Sequence, residues 1–256
     1  MNRLEQVFKN RKAFIPFITA GDPCLEITEK LVLKMAEAGA DLIELGIPFS
    51  DPIAEGPVIQ EADNRALEAG TTTDKVFDMV KNIRKSCNVP IAFMTYANPI
   101  FTYGTEEFMK KCQEVGVDAV IVPDIPYEEK GELLPYCSKY NVTFISMIAP
   151  TSNERIRMIA SEAEGFIYCV SSMGVTGVRE KLGDNIEEMI KIAKEVKNIP
   201  CAIGFGISTP EQAAAMSKIS DGVIVGSAIV KIIAQYGFEC VPYVEEYVKS
   251  MIKAIR

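Results

Sequence analysis

The sequence predicts a (β/α)8 TIM barrel, built as a single domain over residues 1–256 with additional helices. A chain of 256 residues with 48% hydrophobic content can bury one large core. Eight short apolar runs alternate with longer amphipathic segments, which is the count of this barrel. No linker or change of composition marks a second domain. A doubly wound open sheet is the alternative, although such a sheet rarely needs eight strand–helix units.

The predicted strands are short runs rich in apolar and β-branched residues, as buried parallel strands are. In chain order they are Ala13–Thr19, Asp41–Ile47, Val89–Thr95, Asp118–Pro123, Val142–Ile148, Gly165–Val170, Ile199–Phe205 and Asp221–Gly226. The helical patterns between them have apolar residues at helical spacing. They are Thr28–Ala38, Lys75–Ser86, Glu106–Val115, Glu128–Tyr140, Asn153–Glu162, Asn185–Val196 and Pro210–Lys218. Three predicted strands begin at an aspartate that follows a small or apolar residue. This repetition of one strand–helix unit along the chain also favours a barrel.

Composition excludes several classes of function. The net charge is −8 and the basic residues are spread along the chain, whereas nucleic-acid binding needs a basic patch. No apolar run approaches the roughly 20 residues that span a bilayer. The first residues, Met1–Gln6, are charged and polar and contain no signal-peptide core. We therefore expect no nucleic-acid or membrane partner and a cytoplasmic location.

Cysteine and histidine usage narrows the chemistry. The seven cysteines are scattered without a C-x-x-C pair, which favours free, reduced thiols over disulfides or a metal site. The chain contains no histidine, so histidine-centred triads, histidine general bases and the commonest metal ligand are all excluded. We expect no metal site.

Glu44 is the most informative residue, because it interrupts a run that otherwise reads as a buried strand. A buried carboxylate costs several kcal/mol unless it is paired, hydrogen-bonded or protonated. Burial also raises its pKa, toward the range in which one group both gives and takes a proton. Glu44 is therefore either half of a hidden ion pair or a catalyst.

The ends of predicted strands seven and eight indicate a phosphate site. Gly204 and Gly206 let backbone N–H groups approach a ligand, and Thr209 starts a helix with Gln212 three residues later. Gly226 and Ser227 begin a short helix after strand eight. Helix N-termini bind phosphate, and barrels often place that site after strands seven and eight.

Elimination leaves carboxylate chemistry on a phosphate ester. No predicted strand contains the lysine that a Schiff-base aldolase needs, and no G-x-G-x-x-G motif supports nicotinamide binding. Metal-dependent aldolases generally use histidine. A lyase or isomerase remains, with Glu44 as the central acid. The other acids at the same barrel face are Asp22, Asp51, Glu55 and Asp124.

The segment Leu42–Pro52, followed by Glu55-Gly56-Pro57 and Gln60, resembles the signature of the tryptophan synthase alpha chain family. The resemblance covers essentially the whole chain. Further motifs stand in the family's order, namely Pro16–Pro23, Tyr96–Pro99, Pro123–Pro126, Gly174–Gly177, Gly204–Ser208 and Gly226–Val230.

The resemblance implies a barrel enzyme that cleaves indole-3-glycerol phosphate to indole and glyceraldehyde 3-phosphate. Glu44 corresponds to the proton-transferring carboxylate, Glu55 to the carboxylate that holds the indole N–H, and Tyr168 to the aromatic residue beside the catalytic acid. The implied indole-pocket residues are Phe17, Ile121, Thr176, Phe205 and Ile224. The implied phosphate-binding residues are Gly177, Gly206, Gly226 and Ser227.

The resemblance also implies a partner, a beta chain that carries pyridoxal phosphate, in an alpha2beta2 complex. The loops Phe49–Gln60 and Tyr96–Thr102 correspond to the docking surface, and Ser171–Gly183 to a lid over the substrate. No cofactor is expected in this chain.

One residue departs from the family pattern, because Glu55 stands where the family normally has aspartate. The extra methylene moves the carboxylate by up to about 1.5 Å, and a misplacement of about 1 Å can cost on the order of 10²-fold in rate. We expect the loop Ile53–Pro57 to adjust. The alternatives are a barrel enzyme acting on another phosphate ester, or a weakly active subunit that mainly binds and activates its beta chain. A structural or nucleic-acid-binding module has almost no support.

Overall fold

A computed structural model describes residues 3–170, 182–204 and 206–256. These residues form nine parallel strands in the order β5-β4-β3-β2-β1-β9-β8-β7-β6. Their bounds are β1 Ala13–Thr19, β2 Ile43–Gly46, β3 Ile91–Met94, β4 Ala119–Ile121, β5 Thr143–Phe144, β6 Ser146–Ile148, β7 Ile167–Val170, β8 Cys201–Gly204 and β9 Gly222–Val225. Strands β5 and β6 are two halves of one barrel strand, interrupted at Ile145. The predicted (β/α)8 barrel is confirmed.

Eleven α-helices are found in the described part of the chain. They are α1 Leu25–Ala38, α2 Pro57–Glu68, α3 Thr73–Ile83, α4 Ala97–Tyr103, α5 Thr105–Val115, α6 Leu134–Lys139, α7 Asn153–Glu162, α8 Leu182–Val196, α9 Pro210–Ile219, α10 Ser227–Tyr236 and α11 Val241–Ile255. The sequence predicts one helix over Glu128–Tyr140, whereas a 3-10 helix, Tyr127–Glu132, precedes α6. Pro135 explains the break, because its missing N–H is tolerated only in the first turn of a helix. None of the helices that the structure describes is both long and apolar enough to cross a membrane.

The aspartates that begin three predicted strands join neighbouring strands at the N-terminal end of the barrel. Backbone N–H groups donate to their carboxylates: Phe14 to Asp41 (2.8 Å), Ile91 to Asp118 (2.9 Å) and Cys201 to Asp221 (2.8 Å). Basic side chains complete each site, namely Arg11 and Arg256 on Asp41, Arg3 and Arg84 on Asp118, and Lys194 on Asp221. These carboxylates therefore occupy the strand entrances, and β2, β4 and β9 begin one or two residues after them.

Alternation along the strands separates two large apolar cores, and a third, smaller cluster contains Phe17, Ile59, Ala62 and Val230. One core lies between the sheet and the helices. The other fills the barrel and contains Ala13, Ile15, Leu42, Ala92, Ala119, Ile121, Ile145, Phe166, Tyr168, Ala202 and Ile224. Leu4 and Val7 belong to the same cluster and close its N-terminal end. Side chains two residues apart in an extended chain point to the same face of the sheet. Glu44 follows Leu42, a member of the interior cluster, by two residues, so its side chain also points into the barrel.

Candidate active site

Glu44 lies inside the barrel without a partner. The strand register places it between Phe17 on β1 and Ala92 on β3, whose small side chain leaves room for the carboxylate. Glu44 is 0% exposed, and neither carboxylate oxygen has a hydrogen-bond partner among the described residues. Burial raises its pKa to about 8. The hidden ion pair is therefore ruled out within the described part of the chain.

Tyr168 lies in the same interior, on β7. It pairs in register with Met147 and Ala202 and is 5% exposed. A Cβ atom at Gly204 would lie 2.4 Å from the Tyr168 hydroxyl oxygen, so glycine is required for the ring to lie there. Burial, and then the charges of Glu44 and Glu55, raise the pKa of Tyr168 well above its ordinary value. The structure thus brings Tyr168 within electrostatic reach of both carboxylates.

Phe17 packs closely against two glycines at the C-terminal ends of neighbouring strands. A Cβ atom would lie 2.7 Å from its ring at Gly46 and 3.2 Å from it at Gly226. Ile121 and Ile224, the other described residues of the predicted indole pocket, are 0% and 3% exposed in the interior cluster. Ile121 and Ile224 belong to the interior cluster, and Phe17 packs in a smaller neighbouring cluster with Ile59, Ala62 and Val230.

Glu55 lies between β2 and α2 and is half-buried. Its Oε2 atom is buried and has no hydrogen-bond partner among the described residues. Burial is the main cause that raises its pKa to about 7; Asp124 raises it further, and backbone hydrogen bonds at Glu55 and Ala54 oppose the shift. The backbone is held on both sides, because Ala54 N–H donates to the Tyr96 hydroxyl oxygen (2.8 Å) and Gln60 Nε2 donates to the Glu55 carbonyl oxygen (2.9 Å).

Asp63, on α2, is a third carboxylate at this end of the barrel, and it was not predicted from the sequence. It is 5% exposed on α2, and the Thr19 hydroxyl donates to its Oδ1 atom at 3.4 Å. Burial raises its pKa to about 7; the charges of Glu55 and Asp22 add to the shift, and hydrogen bonds from Thr19 and the Phe49 backbone oppose it. One signal could have found it, since Asp63 follows Ile59 by four residues on the apolar face of α2.

The remaining predicted acids have structural partners or lie at the surface. Asp22 forms a bidentate ion pair with Arg65, with both nitrogen–oxygen distances at 2.8 Å. Asp124 accepts the Ala97 N–H at the start of α4 (3.0 and 3.2 Å), and Asp51 is exposed.

No group of three acidic, cysteine or histidine side chains within residues 3–170, 182–204 and 206–256 is arranged to hold a metal ion.

The three described residues of the predicted phosphate site, Gly206, Gly226 and Ser227, lie just before or at the starts of α9 and α10. Gly206 adopts φ +78°, a conformation that favours glycine, and α9 begins with the expected capping box of Thr209 and Gln212. Gly226 precedes α10, Ser227 is exposed, and no described side chain caps this helix. Its first N–H groups therefore suit an anion.

Some predicted residues lie outside the described part of the chain. These are Thr176, Gly177 and Phe205, together with the predicted lid Ser171–Gly183 apart from the first two residues of α8.

The two predicted docking loops contain exposed apolar side chains. Ile53 is 81% exposed and Phe101 is 46% exposed. Phe49 and Tyr96 join the loops, with ring centroids 5.4 Å apart. Exposed apolar side chains on these loops are compatible with a protein interface.

Comparison with known proteins assigns the family. The family model of the tryptophan synthase alpha chain matches residues 4–255. A tryptophan synthase alpha chain of Lacticaseibacillus casei is 49% identical, over 100% of this chain and 96% of the relative. The crystal structure of tryptophan synthase subunit alpha from Legionella pneumophila has a TM-score of 0.91 at 36% identity, covering 100% of this chain and 98% of that chain.

A Pyrococcus furiosus structure, described as the tryptophan synthase a2b2 complex and its mutual activation, has a TM-score of 0.87 at 36% identity. It covers 95% of this chain and 99% of that chain. The chain belongs to the tryptophan synthase alpha chain family.

Proposed function

We propose that this chain, a lyase of its family, cleaves indole-3-glycerol phosphate to indole and glyceraldehyde 3-phosphate as the alpha subunit in L-tryptophan biosynthesis. The observation that carries the proposal is Glu44, a buried and unpaired carboxylate inside the barrel with a pKa raised to about 8. The catalytic unit is one domain over residues 1–256. In support, the core between the sheet and the helices is one cluster whose members range along the chain from Phe14 to Ile255.

Glu44 serves as both acid and base. At neutral pH it is mostly protonated, because its pKa lies near 8. It gives its proton to the indole ring carbon that bears the glycerol chain, which leaves positive charge on the ring nitrogen. The resulting carboxylate takes the proton of the adjacent glycerol hydroxyl. The carbon–oxygen double bond forms, the carbon–carbon bond breaks, and its electron pair returns to the ring. Glu44 ends protonated, ready for another turnover.

Glu55 stabilises the charge that develops on the ring nitrogen. Its unpartnered Oε2 atom is free to accept a hydrogen bond from the indole N–H. A negative charge there stabilises the positive charge that develops on the ring in the transition state. The bound N–H also favours the ionised carboxylate, which offsets the effect of burial on its pKa. Ionised Glu55 and protonated Glu44 are thus both available near neutral pH.

The walls of the pocket exclude water from this chemistry. Phe17, Ile121 and Ile224 present apolar surface, and we place the indole ring against them together with Thr176 and Phe205. Tyr168 keeps its proton, because burial and the charges of Glu44 and Glu55 raise its pKa, so it adds no further negative charge to the site. The phosphate group binds at Gly206, Gly226 and Ser227, and Gly177 completes its contacts.

The partner is a tryptophan synthase beta chain in an alpha2beta2 complex. Ile53 and Phe101 lie on the two docking loops and support this assignment. Pyridoxal phosphate belongs to the beta chain, and we assign no cofactor to this chain. We place the complex in the cytoplasm. The seven cysteines are free thiols in the structure, which suits a reducing compartment.

The test is indole formation by the purified chain, with and without a beta chain. Glu55→Asp should retain or improve the rate, because it restores the shorter carboxylate of the family. Glu55→Gln should lower the rate by about 10²-fold or more, as the loss of one charge-stabilising group does. Full activity of Glu55→Gln would refute the role of Glu55.

The second candidate function is a weakly active subunit that mainly activates its beta chain. The longer side chain of Glu55, on a backbone held at both sides, is the observation that favours it. It predicts little indole formation by the chain in either condition, together with strong stimulation of the beta chain. Rapid indole formation by the complex would exclude it.

A further inference from the structure

The loop that carries Glu55 is held to the rest of the barrel by two hydrogen bonds. Ala54 N–H donates to the Tyr96 hydroxyl oxygen at 2.8 Å, and Gln60 Nε2 donates to the Glu55 carbonyl oxygen at 2.9 Å. Within the described part of the chain, residues 50–55 make no other hydrogen bond to a group outside that segment. Ile53 and Ala54 are exposed, so packing fixes this part of the loop only weakly.

The two hydrogen bonds lie on either side of Glu55 along the chain. The first fixes the peptide group that enters Ala54, and the second fixes the peptide group that leaves Glu55. Only the backbone torsions of Ala54 and Glu55 lie between these two planar groups. The direction in which the Glu55 side chain leaves the backbone therefore depends on both hydrogen bonds.

Tyr96 is a firm anchor for this loop. It follows β3 by two residues and is 4% exposed, and its ring centroid lies 5.4 Å from that of Phe49. The next residue, Ala97, begins α4, and its N–H donates to both carboxylate oxygens of Asp124, at 3.0 and 3.2 Å. The ring and the backbone beside it are thus both fixed, so the Tyr96 hydroxyl has a defined position.

Gln60 is fixed because it lies in the first turn of α2. Its own backbone N–H donates to the Gly56 carbonyl oxygen at 3.2 Å, while its side chain reaches back to the Glu55 carbonyl oxygen. The Arg65–Asp22 ion pair in turn ties α2 to the loop after β1. The second hydrogen bond therefore also starts from a rigid element.

We propose that Tyr96 and Gln60 are positioning residues for Glu55: they hold the backbone on both sides of it, so that its Oε2 atom meets the indole N–H. This inference rests on the proposed function, in which that N–H binds Glu55. The backbone hydrogen bonds of the carboxylate come from Ala54 and Glu55 themselves, so the carboxylate moves with the segment. A misplacement of about 1 Å can cost on the order of 10²-fold in rate.

The test measures kcat and KM for indole formation from indole-3-glycerol phosphate, with saturating beta chain, in the wild type, Tyr96→Phe and Gln60→Met. Each substitution removes one hydrogen bond and keeps a side chain of similar size. Each should lower kcat about tenfold, because the other bond still holds the loop, and the double variant should lower it about 10²-fold. KM should stay within about twofold, since the charge that Glu55 stabilises develops only in the transition state.

The decisive comparison repeats both substitutions in a Glu55→Ala background. With no carboxylate left to position, Tyr96→Phe and Gln60→Met should each change kcat by less than about twofold. A tenfold loss that persists in Glu55→Ala would overturn the inference, because the two residues would then act on the substrate or on the fold. Wild-type kcat in either single variant would remove that residue from the proposed role.

Matched controls make the same substitutions away from this loop. Tyr103→Phe removes a hydroxyl that donates to Asp74 at 2.6 Å at the end of α4, and Gln113→Met replaces an exposed residue on α5. Both controls should keep the wild-type kcat and KM. A tenfold loss in either control would show that the assay responds to the type of substitution and not to its place, which would remove the support for the inference.

A second readout does not depend on activity. Amide hydrogen exchange followed by NMR reports the hydrogen bond of the Ala54 N–H. Exchange at Ala54 should be on the order of tenfold faster in Tyr96→Phe than in the wild type, and unchanged in Tyr103→Phe. Unchanged exchange in Tyr96→Phe would refute the anchor even in an active enzyme. An inactive wild type would refute the proposed function, and the exchange rate would still decide whether Tyr96 holds the loop.

Discussion

Gly204 on β8 makes room for the ring of Tyr168, and replacing it with alanine tests how tightly the two residues pack. The added Cβ atom would lie 2.4 Å from the Tyr168 hydroxyl oxygen and 2.6 Å from two of its ring carbons. Ordinary contacts of this kind begin above 3 Å, so the ring must move by on the order of 1 Å. Tyr168 is 5% exposed in the interior cluster, so a displaced ring must push against its buried neighbours.

The expected cost of Gly204→Ala has two parts. Over-packing an interior destabilises a protein by about 1–3 kcal/mol, which lowers Tm by several degrees in a chain of this size. A displacement of about 1 Å at the site should lower the rate of indole formation on the order of 10²-fold. Thermal unfolding and an indole assay on the same preparation measure both.

Gly131→Ala is the matched control, because the structure has nothing within 4 Å of a Cβ atom at that position. It should keep both the wild-type Tm and the wild-type rate. If Gly204→Ala also kept both, the close packing of Tyr168 against β8 would be refuted, and with it the geometric basis for the position of Tyr168.

Three further predictions concern stability and assembly. Burial raises the pKa of Glu44 from 4.5 in the unfolded chain to about 8 in the folded state, so the unfolded chain releases this proton at lower pH. The free energy of unfolding of the wild type should therefore fall relative to that of Glu44→Gln as pH rises from 4.5 to about 8. Urea unfolding at pH 5, 7 and 9 measures this difference, and a gap independent of pH would contradict it. Arg65→Leu leaves Asp22 buried at 1% exposure without its partner and should cost about 3 kcal/mol in unfolding free energy; a loss below about 1 kcal/mol would argue against the ion pair. Ile53→Ser should weaken binding to the beta chain about tenfold in a titration, with an unchanged Tm for the isolated chain; unchanged affinity would remove Ile53 from the interface.

The barrel could be predicted because buried parallel strands are continuous apolar runs. Ala13–Thr19 is found with the predicted bounds. Other strands are shorter than predicted, because residues such as Asp41 bind the neighbouring strand through the side chain at the barrel entrance. The helix α2 was not predicted, since small and acidic residues such as Ala62 and Asp63 weaken its apolar pattern.

The site was predictable in part. An acid within an apolar strand identified Glu44 directly, whereas Tyr168 and the pocket residues came from the family resemblance. Asp63 could be found only once α2 was recognised as a helix, because its place on the apolar face and its burial depend on how α2 packs over the barrel end. The lack of a partner for Glu55 Oε2 is also a property of the packed structure and not of the sequence.

Glu44 is the residue that we propose transfers the proton in the cleavage. The most direct measurement is indole formation from indole-3-glycerol phosphate by Glu44→Gln and by the wild type, each in complex with the beta chain and each shown to be folded. Glutamine fills the same space inside the barrel but transfers no proton, so the rate should fall by about 10²–10⁴-fold. Unchanged turnover in Glu44→Gln would exclude Glu44 from the proton transfer.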